Sequence, residues 1–481
     1  MEHLVQCSAN YTPLTLISFL EKELPWCMVI RVSIIYGSLK YTWKQTFQRC
    51  YKLASALKAP HWVQTSQIYE LHFAVPMAGA VFSPLNIHQD STALAAQFKP
   101  LEAKVIYSSI ISSSISSLKP SRSSSKHAPI SSFLSSMLET DPDAKRAADD
   151  HQFLGYKTYD SLLNVENNFG FEILRPHGEF DPISIVFTSG TTGEPKGVVP
   201  SHRGAYLTTL AEIIINEMKA MPIYLWTVPM NHCNGTYDAK FIFDAIVEYN
   251  VTNLGGATPV LSLIANANQN PLPFKVNIMS GGAPPLPQVV LKIEELGFIL
   301  THSYGMSEML GPGTVYPWRP EYGSLSLQQQ AKTKALHGLN HMLMEAVDVK
   351  DPLTMESVPF DGFTLGEVMF RGNTVTKGYY KDPENTEAAF MGGKKISTVD
   401  VEAVLFSHPA VFEAGVVGKP DKVAGETEGC DDTRSVDIIE YCREKLPGYM
   451  VQETVVFDDL PFTSTGKLKK AVLRERANAL V

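Results

Sequence analysis

Residues 187–197 read FTSGTTGEPKG, a stretch holding three glycines, four hydroxyls and one lysine. Glycine N–H groups can approach phosphate oxygens closely, Thr188, Ser189, Thr191 and Thr192 add hydroxyl donors, and Lys196 brings a positive charge. Residues of these types at this density suit a phosphate cradle; taken alone they also suit a surface loop. The stretch differs from the Gly-x4-Gly-Lys-Ser/Thr loop of NTPases, because Pro195 precedes the lysine and Gly197 follows it. That argues against a P-loop phosphotransferase. Two more polar, glycine-bearing stretches occur downstream, SGGAPP at 280–285 and YGMSE at 304–308. Small residues there admit close backbone approach, and Glu308 adds a carboxylate.

Such stretches need fixed ends, and their flanks supply them. ISIVF (183–187) reads as a strand leading into the glycine loop. The helix HRGAYLTTLAEIIINEM follows, with Leu207, Leu210, Ile213 and Ile214 at helical spacing. YLWTVPM reads as another strand, and DAKFIFDAIVEYN as a helix presenting Phe241, Ile242, Ala245, Ile246 and Tyr249. KVNIMS (275–280) is a strand, LPQVVLKIEELG a helix stopped by Gly297, and FILTHSYG a further strand. This alternation predicts an α/β fold, with parallel-type sheets covered by helices. In such sheets ligands bind beyond the carboxyl ends of the strands, where all three glycine-bearing stretches are expected.

Beyond residue 390 the units are smaller. Ser397 or Thr398 and Ser435 suit helix caps, VFEAGVVG and ETVVFDDL suit strands, and PFTSTGK turns into a basic helix. The expected organisation is a large domain over 1–390 and a small α+β domain over 391–481. Residues 108–136 are about half serine and cannot build a packed element.

Bulk properties exclude several classes. At 481 residues the chain exceeds a single core. Acids outnumber bases 50 to 41, for a net charge of −9, so nothing favours nucleic acid as a partner. No run approaches the roughly 18 apolar residues of a membrane span. The start MEHLVQCSANYTPL lacks a basic region before an apolar core, and the six cysteines are scattered without CxxC pairs. The last residues, Ala479-Leu480-Val481, differ from a Ser-Lys-Leu tail. These features make the cytoplasm the expected compartment and the peroxisome the alternative. Nothing in the sequence speaks to oligomeric state.

FTSGTTGEPKGV resembles the phosphate-binding signature of the adenylate-forming superfamily, which contains acyl-CoA synthetases, plant acyl-activating enzymes, 4-coumarate ligases and luciferases. SYGMSE (303–308) looks like its adenine and magnesium motif, GEVMFRGNTVTKGYY (366–380) like the strand motif that follows, and PFTSTGK (461–467) like its C-terminal lysine motif. Local phrasing such as HRGAY, HCNG and REKLPGYM is similar to plant-type enzymes for short or medium carboxylic acids. The resemblance implies an ATP-dependent carboxylate–CoA ligase that works through an acyl-adenylate. ATP, Mg²⁺ and coenzyme A would take part, with a small carboxylic acid as substrate. It further implies roles for individual residues. Thr188, Ser189, Gly190, Thr191, Thr192, Gly193 and Lys196 would hold the β- and γ-phosphates. Gly281, Gly282, Ala283 and Pro284 would line adenine and the acyl tunnel, and Tyr304, Gly305 and Ser307 would complete the nucleotide site. Glu308 would hold Mg²⁺, with Thr191 as a second candidate ligand. His232 would border the acyl pocket, Gly393 and Ile396 would line the coenzyme A channel, and Lys467 would bond the reacting oxygens.

The chain departs from the family pattern at three places. NTEAAF runs directly into MGGKKIS, where the family carries an aspartate that grips both ribose hydroxyls and the hinge of the small domain. A second gap follows HCNG, and a third sits near ALKAPHWVQTSQIYELHF. Losing the aspartate removes charge-assisted hydrogen bonds of about 1.5–3 kcal/mol each. Losing the hinge removes the switch between adenylation and thioester formation. The alternative these gaps raise is a catalytically impaired relative that binds nucleotide or acyl ligand without turnover.

Overall fold

The computed structural model describes residues 12–390 outside 24–29, 38, 58–65, 86–90, 102–162, 164–169, 189–194, 228–237, 283, 317, 336–337, 352–353, 362–363 and 365, and beyond 390 only 437–441, 443, 455–457, 460, 472–473 and 475–476. The serine-rich stretch and most of the expected small domain therefore lie outside the described residues. So do Ser189, Gly190, Thr191, Thr192, Gly193, His232, Ala283, Gly393, Ile396 and Lys467.

The first layer is helical. α1 (Ile17–Glu23), a hairpin of β1 (Val32–Tyr36) and β2 (Leu39–Thr42), α2 (Trp43–Leu57), α3 (Ser66–Met77) and α4 (Ser91–Leu101) come first. Ile17, Leu20, Leu53, Leu71 and Met77 are buried together between α1, α2 and α3. The chain then passes through β3 (Val186–Phe187), β4 (Gly197–Val198) and α5 (His202–Ile215). A parallel bridge between Phe82 and Ser184 ties the helical layer to the segment entering β3.

The second layer is a six-stranded sheet. Its members are β5 (Tyr224–Leu225), β6 (Asn253–Gly255), β7 (Val276–Gly281), β8 (Phe298–Met306), β9 (Gly311–Val315) and β10 (Leu339–Asn340), in the order β10-β9-β8-β7-β6-β5. The helices α6 (Ala239–Tyr249), α7 (Thr258–Ala265) and α8 (Pro287–Glu295) connect β5 through β8, which are parallel. β9 and β10 are antiparallel, joined by a 3-10 turn at Pro320–Ser324 and by α9 (Leu327–Lys334). β11 (Met344–Lys350) pairs with β12 (Glu367–Gly372), and α10 (Pro383–Phe390) follows.

Local chemistry sets many of these boundaries. Asp238 caps α6 by accepting from the Phe241 amide at 2.7 Å, and Ser201 caps α5 through the Gly204 amide at 3.0 Å. α8 opens on Pro287 and ends before Gly297, whose φ of +105° suits glycine. On β7 and β8 the side chains alternate, so Val276, Ile278, Phe298 and Leu300 face one side of the sheet. There they meet Ile242 and Ile246 of α6, Leu261 and Ile264 of α7, and Val290 and Ile293 of α8. Each such side chain contributes about 1.5–3 kcal/mol by leaving water.

The α/β class holds, with three differences in detail. The sheet is mixed, because the chain reverses after β8 through a 3-10 turn at Ser307–Met309, with Leu310 at φ +56°. The glycine stretch does not join this sheet to a following helix; it closes an antiparallel hairpin between β3 and β4, and α5 starts only at His202. The helix faces also shift. On α5 the buried residues are His202, Gly204, Ala205 and Ala211, while Ile213 and Ile214 are exposed. On α6 Phe243 is buried, stacked edge-on against Phe298 at 5.7 Å, and Phe241 is exposed. Periodicity alone cannot choose among adjacent apolar residues; the position of the neighbouring sheet does.

Candidate active site

The base of the glycine hairpin is closed by two reciprocal bonds. The Thr188 amide donates to the Lys196 carbonyl at 2.9 Å, and the Lys196 amide donates to Thr188 Oγ1 at 3.1 Å. One wall of this base is the 378–380 segment. The Tyr380 amide donates to the Gly197 carbonyl at 2.7 Å, and the Val199 amide to the Gly378 carbonyl at 3.2 Å. A Cβ on Gly197 would sit 3.0 Å from Ile185 Cγ2 and 3.3 Å from Tyr380 Cβ, so the strands close tightly there. Lys196 is thus anchored by its own backbone at the mouth of the loop.

Glu308 lies at the carboxyl end of β8, in the 3-10 turn leading to β9. The register shifts between Tyr304 and Gly305, where a Cβ on Gly305 would meet the Gly311 carbonyl oxygen at 2.0 Å. Glycine at 305 is therefore a steric requirement of the turn that presents the acid. Two groups of the 372–380 segment hold Glu308: the Thr376 amide donates to its carbonyl at 2.8 Å, and the Tyr379 hydroxyl donates to Oε1 at 2.6 Å. Lys196 Nζ stands 5.2 Å from the centroid of the same Tyr379 ring. Burial, and then the carboxylate of Glu308, push the Tyr379 phenol up, so it stays a donor at neutral pH. Tyr304 stacks on Phe370 of β12, with ring centroids 6.0 Å apart.

Gly281 and Gly282 lie at the carboxyl end of β7, next to β8 in the sheet, with Gly281 paired to Ser303. A Cβ on Gly281 would come within 3.3 Å of Ser303 Oγ, and Gly282 has φ +101°. Both glycines are exposed and Pro284 is half-buried, leaving backbone open to a ligand. Among the described residues, the buried hydroxyls of Ser280, Thr314, Thr374 and Thr376 have no hydrogen-bond partner. A deeper polar cluster lies where α5 meets β7. Asn216 Nδ2 donates to Glu212 Oε2 at 2.9 Å and contacts Met279 Sδ at 2.9 Å, and burial raises the Glu212 carboxyl to about 7.

The structure therefore brings Lys196 and Glu308 to one phenol ring, with Thr188 bonded to the backbone of Lys196. Tyr304, Gly305 and Ser307 stand on or beside β8, with Gly281, Gly282 and Pro284 at the adjoining strand end. Tyr379 and Glu212 were not singled out from sequence. Tyr379 sits inside the 366–380 motif, where a tyrosine beside a second tyrosine gives no local sign of which one points inward. Glu212 is the one acid of α5 and the one polar residue in its last six, LAEIII, which is a detectable signal.

The donor set fits a hard cation completed by other ligands. Among the described residues no group of three or more His, Cys, Asp or Glu side chains could hold a metal. Glu308 offers one carboxylate oxygen bonded to Tyr379 and a second, Oε2, with no hydrogen bond among the described residues. A single carboxylate with phosphate oxygens and water is the usual surrounding of Mg²⁺. A glycine-rich stretch with a lysine at its base, across a tyrosine from such an acid, has the chemistry to take a phosphate together with its cation.

The chain belongs to the AMP-binding enzyme family, whose profile matches residues 29–239 and 235–380, and whose C-terminal domain matches residues 400–467. It is 40% identical over 551 positions to the Arabidopsis thaliana protein named "Probable acyl-activating enzyme 21", covering 99% of this chain and 98% of that one. It is 35% identical over 562 positions to acetate/butyrate–CoA ligase AAE7, peroxisomal, from the same plant, covering 100% and 97%. Its fold is similar to that of O-succinylbenzoate coenzyme A synthetase (MenE) from Bacillus subtilis in complex with ATP and magnesium ion. That match has TM-score 0.66 and 18% identity, and covers 94% of this chain and 98% of that one. The alignments to the two relatives are longer than the 481 residues here, so those relatives carry residues this chain lacks. The two profile pieces meet at 235–239, beside the gap after HCNG, and residues 381–399 fall between the two profiles, around the NTEAAF–MGGKKIS junction.

Proposed function

We propose that this chain is an ATP-dependent carboxylate–CoA ligase acting on a short- or medium-chain acid through an acyl-adenylate. The observation that carries the reading is the meeting of Lys196 and Glu308 on a single side chain, Tyr379, from segments far apart in the chain. Joining a carboxylate to the α-phosphate of ATP brings two anions together, and the site must screen both. ATP and Mg²⁺, when bound, supply the electrophilic phosphorus and much of that screening. Lys196 adds a fixed positive charge at the hairpin base, and Glu308 Oε2 is the oxygen that would hold the cation. Thr191 and the other hydroxyls and glycines of 188–193 are the proposed donors to the phosphates. Lys467 is the proposed partner of the reacting oxygens. The carboxylate oxygen forms the bond to phosphorus and pyrophosphate leaves; the thiol of coenzyme A then displaces AMP to give the thioester. Gly393 and Ile396 are the proposed lining of the thiol channel.

Similarity to a protein named as an acetate/butyrate–CoA ligase supports a small acid as substrate. Among the described residues no helix is long and apolar enough to cross a membrane. We place the chain in the cytosol, with the peroxisome as the alternative because that same relative is named peroxisomal; fractionation of a tagged chain separates the two. The division into domains at 390/391 belongs to the same proposal, and limited proteolysis near residue 391 tests it. The catalytic test is pyrophosphate release with ATP, Mg²⁺ and a panel of two- to eight-carbon acids, with and without coenzyme A. Acid-dependent release, followed by thioester on adding coenzyme A, is expected. ATP binding without release would refute the ligase reading and leave the binding-only relative.

A further inference from the structure

The phenol hydroxyl of Tyr379 donates to Glu308 Oε1 at 2.6 Å, and its ring lies 5.2 Å below the ammonium of Lys196. Tyr379 is buried, at 6% exposure, and is itself fixed on three sides. Its amide donates to Thr386 Oγ1 at 2.9 Å, its ring meets Phe390 edge-on at 5.7 Å, and its backbone bridges Val198 of the glycine hairpin. Glu308 has little other support: its carbonyl takes the Thr376 amide, and among the described residues Oε2 has no hydrogen bond. A glutamate in a 3-10 turn has three side-chain torsions to fix before it can present one chosen oxygen. A rigid donor on the other oxygen does that in advance.

We propose that Tyr379 is a positioning residue for Glu308, holding Oε1 so that Oε2 faces the cation, and that its ring sets the spacing between this carboxylate and Lys196. The inference rests on the ligase reading, because the cation it concerns is the one bound with ATP. Tyr379 does not touch the reacting atoms. It couples the hairpin and the β8 turn, so its hydroxyl should matter for metal dependence more than for nucleotide binding as such.

The test is calorimetric binding of ATP at a series of magnesium concentrations, on the full chain, for the wild type, Tyr379→Phe, Glu308→Gln and the double variant. Tyr379→Phe keeps the ring and its contact with Lys196 and loses only the donor. Loss of one hydrogen bond to a charged group should raise the magnesium concentration for half-maximal enhancement roughly tenfold. ATP binding in EDTA should be unchanged. In the Glu308→Gln background the same substitution should add little, since the carboxylate it positions is gone. Equal magnesium dependence of wild type and Tyr379→Phe overturns the inference and leaves the ligase reading standing. If the wild type binds no ATP, both fall together. Should Tyr379→Phe fail to fold, near-ultraviolet difference spectra of the ATP-bound wild type and Glu308→Gln replace it. A magnesium-induced tyrosine shift in the wild type alone is then expected, and equal shifts in both overturn the proposal.

Discussion

Glu212 offers a test of how the protein interior treats a charge. Its Oε2 accepts from Asn216, the residue that caps the end of α5 and whose amide also contacts Met279 Sδ of β7; Oε1 lies 3.7 Å from where a Cβ of Gly311 would stand. Burial raises it from 4.5 to about 7, opposed by the Asn216 hydrogen bond. At about 1.4 kcal/mol per pH unit, this gap corresponds to about 3 kcal/mol between the charged and neutral forms. The unfolded chain ionises near 4.5, so below that pH the residue is neutral in both states and costs nothing. Between 4.5 and 7 the folded state binds the extra proton, and stability falls as pH rises. Above 7 the full penalty is in place. Glu212→Gln keeps an acceptor for Asn216 and removes the charge. It should match the wild type at pH 4.5 and exceed it by about 2–3 kcal/mol at pH 8, a rise of a few degrees in melting midpoint. Urea midpoints followed by tryptophan fluorescence at pH 5, 6, 7 and 8 measure this directly. A difference that does not grow with pH would refute the claim that a buried carboxylate here resists ionisation.

The remaining predictions concern the site. Glu308→Gln should weaken Mg·ATP binding about tenfold while ATP binding in EDTA is kept, and an unchanged magnesium titration counts against the metal role. Lys467→Ala should abolish acyl-adenylate formation with ATP binding nearly intact; equal pyrophosphate release in both proteins would sink it. Gly305→Ala must move the Gly311 carbonyl, 2.0 Å from the new methyl. We expect a loss of about 1–3 kcal/mol, and unaltered urea midpoints would refute the claim that this turn has no room for a methyl group.

Much of this molecule can be read residue by residue along the chain. The bounds of α8 follow from Pro287 and Gly297, β7 and β8 from short alternating runs, and Lys196 and Glu308 from glycine-rich spacing, because capping, pleat and close backbone approach are short-range effects. Other features depend on contacts that no local pattern encodes. The face α5 buries is set by its neighbours in space, so Ile213 and Ile214 stay exposed while Ala205 and Ala211 are covered. The glycine stretch became a hairpin because β4 pairs with β3 and continues onto 378–380, nearly two hundred residues later in the chain. The hydroxyl of Tyr379 finds Glu308 across a separation of 71 residues. Composition and spacing name the groups able to screen phosphate; which oxygen of which carboxylate is held, and beside which lysine, follows from how distant segments pack.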